Sequence, residues 1–226
     1  MIIIHNYFAA ISLTIVAMIA WGSWANTQKI AEKNWRFELY YWDKVIGIVL
    51  MSLIGAFTIG SLGSEGRSFL TDISQANTRS IFQAMLGGVL WNAGNLLLVA
   101  AIATAGISVA FPFGGGIAWI VGIMFNYIVI LMDDKVPSEK PLLLWMGVLV
   151  IIIAIFLNGK AYRGLSKVKQ KPSLRGIMLS VMGGLFIAFF YGFVAKSLDG
   201  QFVSGGTGNL TPSTAIVFFT LGVIVC

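Results

Sequence analysis

Cysteine and histidine are almost missing: Cys226 and His5 are the only ones in 226 residues. One cysteine excludes an internal disulfide, and one histidine with no cysteine near it offers no metal-ligand spacing. No metal and no cofactor are expected. Acid is scarce as well. The chain holds nine Asp and Glu residues, none of them deep in an apolar segment, Asp43 being the nearest. The largest absence is a run of 53 residues, Ser80 to Met132, without one Asp, Glu, Lys or Arg. A bilayer core takes roughly 20 apolar residues per helix, so this run suffices for two spans and a tight turn.

What is there is grease. Hydrophobic residues make up 58% of the chain and charged ones 11%, with a mean hydropathy of +0.87. A soluble domain carries about 25% charged residues. Hydropathy marks six complete apolar segments and one incomplete one: Ile4 to Ala25, Trp42 to Leu62, Ile81 to Ala103, Ile107 to Met132, Leu142 to Asn158, Leu174 to Ala195, and Pro212 to Cys226. The first has no basic residue before it and is longer than a signal-peptide core, so it reads as a transmembrane helix. Between the third and fourth, Thr104-Ala105-Gly106 supplies the turn, because glycine leaves the helical region cheaply. Pro112 removes a helix hydrogen bond, and an irregular turn is expected there. The seventh segment opens with Thr211 as an N-cap and Pro212 at the first helical position. That segment rises only about 22 Å against a core of roughly 30 Å. The chain is thus expected to stop inside its seventh helix.

A shift of 170 residues lays the first segment on the sixth and the start of the second on the start of the seventh. It also lays Trp21-Gly22-Ser23-Trp24-Ala25 on Tyr191-Gly192-Phe193-Val194-Ala195. Five helices per repeat is odd, so the second copy is inverted in the membrane, as in many secondary transporters. The expected fold is an all-α polytopic membrane protein drawn from a ten-helix, 5+5 inverted repeat. Residues 1–170 form the first repeat and 171–226 the start of the second.

The net charge of +6 is a matter of placement. Lys160, Arg163, Lys167, Lys169, Lys171 and Arg175 lie in one connection, and Lys29, Lys33, Arg36 and Lys44 around another. The positive-inside rule puts both in the cytoplasm and the N-terminus outside, in a multi-pass protein of the cell membrane, the bacterial inner membrane. Cations in short membrane-flanking loops are poor evidence for nucleic acid, and no nucleic-acid partner is expected. The bilayer is the partner, and the oligomeric state is not legible.

Trp91, Asn92 and Asn95 fall within about a 100° arc of one helix, mid-span. Two amides and an indole there can bind a neutral polar ligand or hydrogen-bond across helices. Ala110, Gly114, Ala118 and Gly122 make a small-residue ridge for helix packing. Pro112 and Trp119 are further candidates for lining a cavity. Trp21, Trp24 and Asn26 read either as an interfacial aromatic belt or as a gate, with Tyr191 in the matching position of the second repeat. No deep carboxylate exists to bind a cationic drug, which favours an uncharged substrate. If transport is coupled to protons, Glu38, Asp43 or a residue beyond Cys226 carries them. No set of nucleophile, acid–base pair and metal ligands converges as an enzyme requires.

The stretches WGSWANTQK (Trp21 to Lys29), WRFELYYWD (Trp35 to Asp43), AFTIGSLGSEGRSF (Ala56 to Phe69), NAGNLLLVAAIATAGISVAFPFGGG (Asn92 to Gly116) and LTPSTAIVFF (Leu210 to Phe219) resemble the drug/metabolite transporter superfamily. Within it the chain looks most like bacterial relatives of plant ureide permeases and of glucose/ribose-type sugar transporters. The resemblance implies ten helices around one central cavity, and a secondary carrier that moves ureides, nucleobases, nucleosides or sugars by alternating access. A multidrug or metabolite exporter of the same superfamily is the alternative.

Overall fold

The computed structural model describes residues 1–31, 37–132, 141–165, 173–200 and 206–226. Long apolar runs become helices because, away from water, only a helix satisfies its own backbone groups. Eight helices stand among the described residues: α1 Tyr7–Ala31, α2 Phe37–Phe57, α3 Phe69–Gln75, α4 Thr78–Ala105, α5 Ile107–Met132, α6 Pro141–Leu165, α7 Leu174–Ser197 and α8 Pro212–Val225. Seven correspond to the expected segments, and the protein is a multi-pass, all-helical membrane protein. Among the described residues, five helices are long and apolar enough to cross a bilayer, in α2, α4, α5, α6 and α7. The apolar stretches Tyr7–Ala20 and Pro212–Val225 are shorter.

Three local expectations meet the structure differently. At the α4–α5 turn Gly106 has φ +79°, and its N–H donates to the Ile102 carbonyl at 2.9 Å. That positive φ is cheap for glycine alone, as the sequence suggested. Pro112, by contrast, makes no irregular turn: α5 runs through it. As the sixth residue of α5, Pro112 lies past the first turn and costs the helix one i to i−4 hydrogen bond, which does not end it. Finally, α2 begins at Phe37, five residues before Trp42, because aromatic residues extend the helix beyond the purely apolar window.

Helix α7 lies between α4 and α5. Contact is close enough that backbones meet: a Cβ on Gly94 would come within 2.8 Å of the Gly183 carbonyl oxygen, and one on Gly183 within 2.8 Å of the Gly94 oxygen. The α5 ridge serves the same helix. Gly122 faces the Ala188 backbone, and the buried Ser180 hydroxyl donates to the Ala110 carbonyl at 2.5 Å. Helix α8 packs on α4 and α2, and α6 on α5. Residues Tyr7 to Ala20 of α1 are exposed throughout.

One end of the bundle gathers the N-terminus, the α2–α3 turn and the α7–α8 connection. The Ile2 N–H donates to the Ile59 carbonyl at 2.7 Å, and His5 Nε2 lies 2.9 Å from Glu65 Oε2 on the surface. Below them, Arg67, Asp72 and Asp199 are buried together. Arg67 Nε donates to Asp72 Oδ1 at 2.8 Å and its Nη2 to Asp199 Oδ2 at 2.9 Å. Gln75 donates to both Asp72 Oδ1, at 3.0 Å, and the Asn209 carbonyl, at 2.8 Å. The Thr211 N–H closes the set on Asp72 Oδ2 at 2.7 Å. Burial lowers the guanidinium pKa, but the hydrogen bonds and charges of Asp72 and Asp199 outweigh it and hold it above its ordinary value. Arg67 is the centre of a buried ionic knot.

Candidate functional site

The middle of α4 carries the polar side chains that the sequence singled out, but the structure gives them different work. Asn92 is 1% exposed. Its Nδ2 donates to the Val223 carbonyl of α8 at 3.0 Å, and its Oδ1 accepts the Tyr41 hydroxyl of α2. One amide therefore ties three helices. Asn95 Nδ2 donates back to the Trp91 carbonyl of its own helix at 2.7 Å, and its side chain is half-buried. An i to i−4 bond of this kind leaves the amide on the helix surface rather than in a neighbouring helix.

Trp91 sits in an aromatic and cationic setting. Its ring centroid is 5.8 Å from that of Phe219 in α8, and Phe219 is 6.0 Å from Phe190 in α7. Lys44 of α2 holds its Nζ 5.6 Å from the Trp91 centroid and 5.8 Å from the Tyr41 centroid, within the roughly 6 Å reach of a cation–π contact. Tyr41 and Lys44, three apart, share one face of α2. Two hollows flank this group. One of about 230 Å³ lies between α2, α4 and α8 and is lined by Tyr41, Val45, Asn92, Leu96 and Val223. The other, about 510 Å³, is an open groove between α2 and α8 lined by Lys44, Gly47, Met51, Ser52, Ile216 and Thr220. The Ser52 and Thr220 hydroxyls are hydrogen-bonded to each other at 2.9 Å.

The remaining sequence candidates lie elsewhere. Trp119 is on the exposed face of α5, 55% accessible, and Pro112 packs its ring towards Gly159 of α6. Neither lines the two hollows. Tyr191 is exposed on α7, its ring 6.4 Å from Phe190. Trp21, Trp24 and Asn26 fall on α1 and Glu38 on α2, with side chains outside the described residues. Asp43 is exposed. Sequence reasoning missed Tyr41 and Phe219 and read Lys44 only as a topology cation. The available signal was a lysine inside an apolar helix with an aromatic residue three positions earlier.

A profile of the ureide permease family matches residues 40–171, which carry Tyr41, Lys44, Trp91 and Asn92. Ureide permease 2 of Arabidopsis thaliana is 30% identical over 167 residues, covering 72% of this chain and 41% of its own length. Ureide permease 3 of the same plant is 28% identical and covers 78% of this chain and 50% of itself. The probable ureide permease A3 of Vigna unguiculata is 27% identical across 97% of this chain and 58% of its own. The chain thus spans about half the length of these relatives. No solved structure matches it. The family is one of permeases, carriers rather than enzymes. With its profile covering more than half of these residues, the chain belongs to the ureide permease family.

Proposed function

We propose that the protein is a secondary transporter that moves a small polar ureide, or a nucleobase, nucleoside or sugar of similar size, by alternating access. The observation that carries this reading is that the family match runs through a group between α2 and α4 that combines an indole, an amide, a phenol and an ammonium. Each is a group that can recognise a ligand with carbonyl oxygens and N–H donors. The wider likeness to drug/metabolite transporters supports a ten-helix, inverted-repeat whole, with residues 1–170 as one copy and 171–226 opening the next. In that fold Trp91, Asn95 and Trp119 face substrate in some part of the cycle, and Tyr191 with Trp21 and Trp24 closes the two ends. Proton coupling through Glu38 or Asp43 belongs to the same proposal.

The test is uptake of radiolabelled ureides, nucleobases and sugars by cells making the whole protein. Uptake of at least one ureide above the empty-vector level is expected, and Asn95→Ala should lower it at matched expression. Absence of uptake for all three classes would sink the reading.

The cationic α6–α7 connection belongs in the cytoplasm and the N-terminus outside, on the same positive-inside grounds. The N-terminus shares its end of the bundle with the α2–α3 turn, so both should behave alike. In a cysteine-free background, a cysteine at Ser64 should react with a membrane-impermeant maleimide in intact cells, and one at Ser173 only after lysis. The reverse pattern would invert the assignment.

A further inference from the structure

We propose that α3 is a lid over one end of the bundle and that the Arg67–Asp72–Asp199 knot is its latch, an inference that rests on reading the protein as an alternating-access carrier. With the latch made, this end is sealed. When it parts, water reaches the contact between α2 and α8.

The way α3 is seated is the first observation. Of its seven residues, Phe69 and Asp72 are the buried ones, three apart on one face. Phe69 packs on Leu53, Ala56 and Val217. The neighbours Gly55 and Ile216 line the open groove between α2 and α8, so α3 sits at the level where that groove ends. A helix that rests on so few buried apolar contacts belongs to the low-stability part of a structure, from which moving lids are drawn. Gly66 leads into it at φ +66°, a conformation cheap for glycine.

The chemistry that holds α3 down is the second observation. Apart from Phe69, it is tied by polar bonds to the α7–α8 connection. Asp72 accepts the Thr211 N–H. The Gln75 side chain donates to the Asn209 carbonyl and accepts the Gly208 N–H, each at 2.8 Å. Arg67 bridges Asp72 to Asp199. An apolar plug in place of these groups would stay shut, because water opposes its exposure. A buried ion pair behaves otherwise: the cost of stripping its water offsets much of its attraction, and that water returns when the pair parts. Closed and open states of such a latch lie close in free energy, as a two-state gate requires.

Two cysteines can hold the lid shut. A Cβ on Gly206 would lie 2.9 Å from the Gln75 Cβ. Gln75→Cys with Gly206→Cys, in a cysteine-free background of the whole protein, can therefore be joined by oxidation or by a short bis-methanethiosulfonate. The reporter is Val217→Cys, a position 5% exposed beside Phe69. Thr214→Cys, at a position 0% exposed, replaces it should the first melt early. Labelling by a cationic methanethiosulfonate is followed by mass spectrometry in lipid nanodiscs, where both faces are reachable. The reporter should label, and cross-linking should slow it at least about tenfold, because labelling tracks the open population. Asp199→Asn should speed labelling severalfold. The cross-link should still suppress it, which a general loosening of the fold would not allow. In proteoliposomes the cross-linked protein should lose uptake and regain it on reduction. The lid falls if the reporter never labels, if it labels at one rate with and without the cross-link, or if the two cysteines cannot be joined. The latch falls if Asp199→Asn labels like its parent. Cross-link-sensitive labelling without any ureide uptake would overturn the transport reading and leave the lid standing. Ureide uptake that persists through the cross-link would do the opposite.

Discussion

Arg67→Met should lower stability by about 3–5 kcal/mol, the cost of leaving buried charges without their partner. The arginine is 7% exposed, and the two carboxylates it holds are 0% and 5% exposed. With the guanidinium gone, Asp72 and Asp199 face each other across the end of the bundle with no cation between them. Hydrogen bonds from Gln75, Thr207 and the Thr211 N–H remain, but they do not neutralise two charges. Adding Asp72→Asn and Asp199→Asn to Arg67→Met should recover part of the loss, because neutral groups are far less costly to bury than unpaired ions. Melting of the purified protein in detergent checks both steps. A single variant that melts with the wild type would show that the knot contributes nothing.

Gly88→Val should be nearly as damaging, for a steric reason. Helices α4 and α8 cross with backbones in contact at two glycines. A Cβ on Gly88 would overlap the Phe219 carbonyl oxygen, and one on Gly222 would overlap the Met85 carbonyl oxygen. The obstacle in each case is backbone, which cannot rotate away as a side chain can. Overpacking costs about 1–3 kcal/mol, and the upper end is expected here. Separating the two helices would also pull Asn92 off the Val223 carbonyl and Trp91 off Phe219, so ligand binding should fall with stability. Gly147→Ala is the control, since nothing lies within 4 Å of that added methyl. Equal melting temperatures for Gly88→Val and Gly147→Ala would refute the close crossing.

The helices were legible because their signal is local. A charge-free run from Ser80 to Met132 has to become apolar helices in lipid whatever packs beside it, and Gly106 between its halves has to be the turn. The ridge Ala110, Gly114, Ala118 and Gly122 was legible for the same reason, since small residues four apart lie on one face. The family was readable in strings such as NAGNLLLVAAIATAGISVAFPFGGG. The short α3 was not: seven residues without a long apolar run leave no periodic trace, and Phe69 becomes core only because Leu53, Ala56 and Val217 pack around it.

What lay beyond the sequence is the pairing of residues far apart in the chain. Asn92 and Asn95 share a helix face, so periodicity gives them the same prospects; the tertiary structure separates them, joining one amide to α2 and α8 and leaving the other on its own helix. Arg67, Asp72 and Asp199 are unremarkable loop charges until the α7–α8 connection folds over α3. Lys44 reads as a flanking cation until Trp91 is seen beneath it. Hydropathy and helical period are properties of neighbours along the chain, and they specify which segments enter the membrane. Electrostatic partners and ring contacts depend on which helices lie side by side, and close glycine crossings, two of them at Gly88 and Gly222, settle that only in three dimensions.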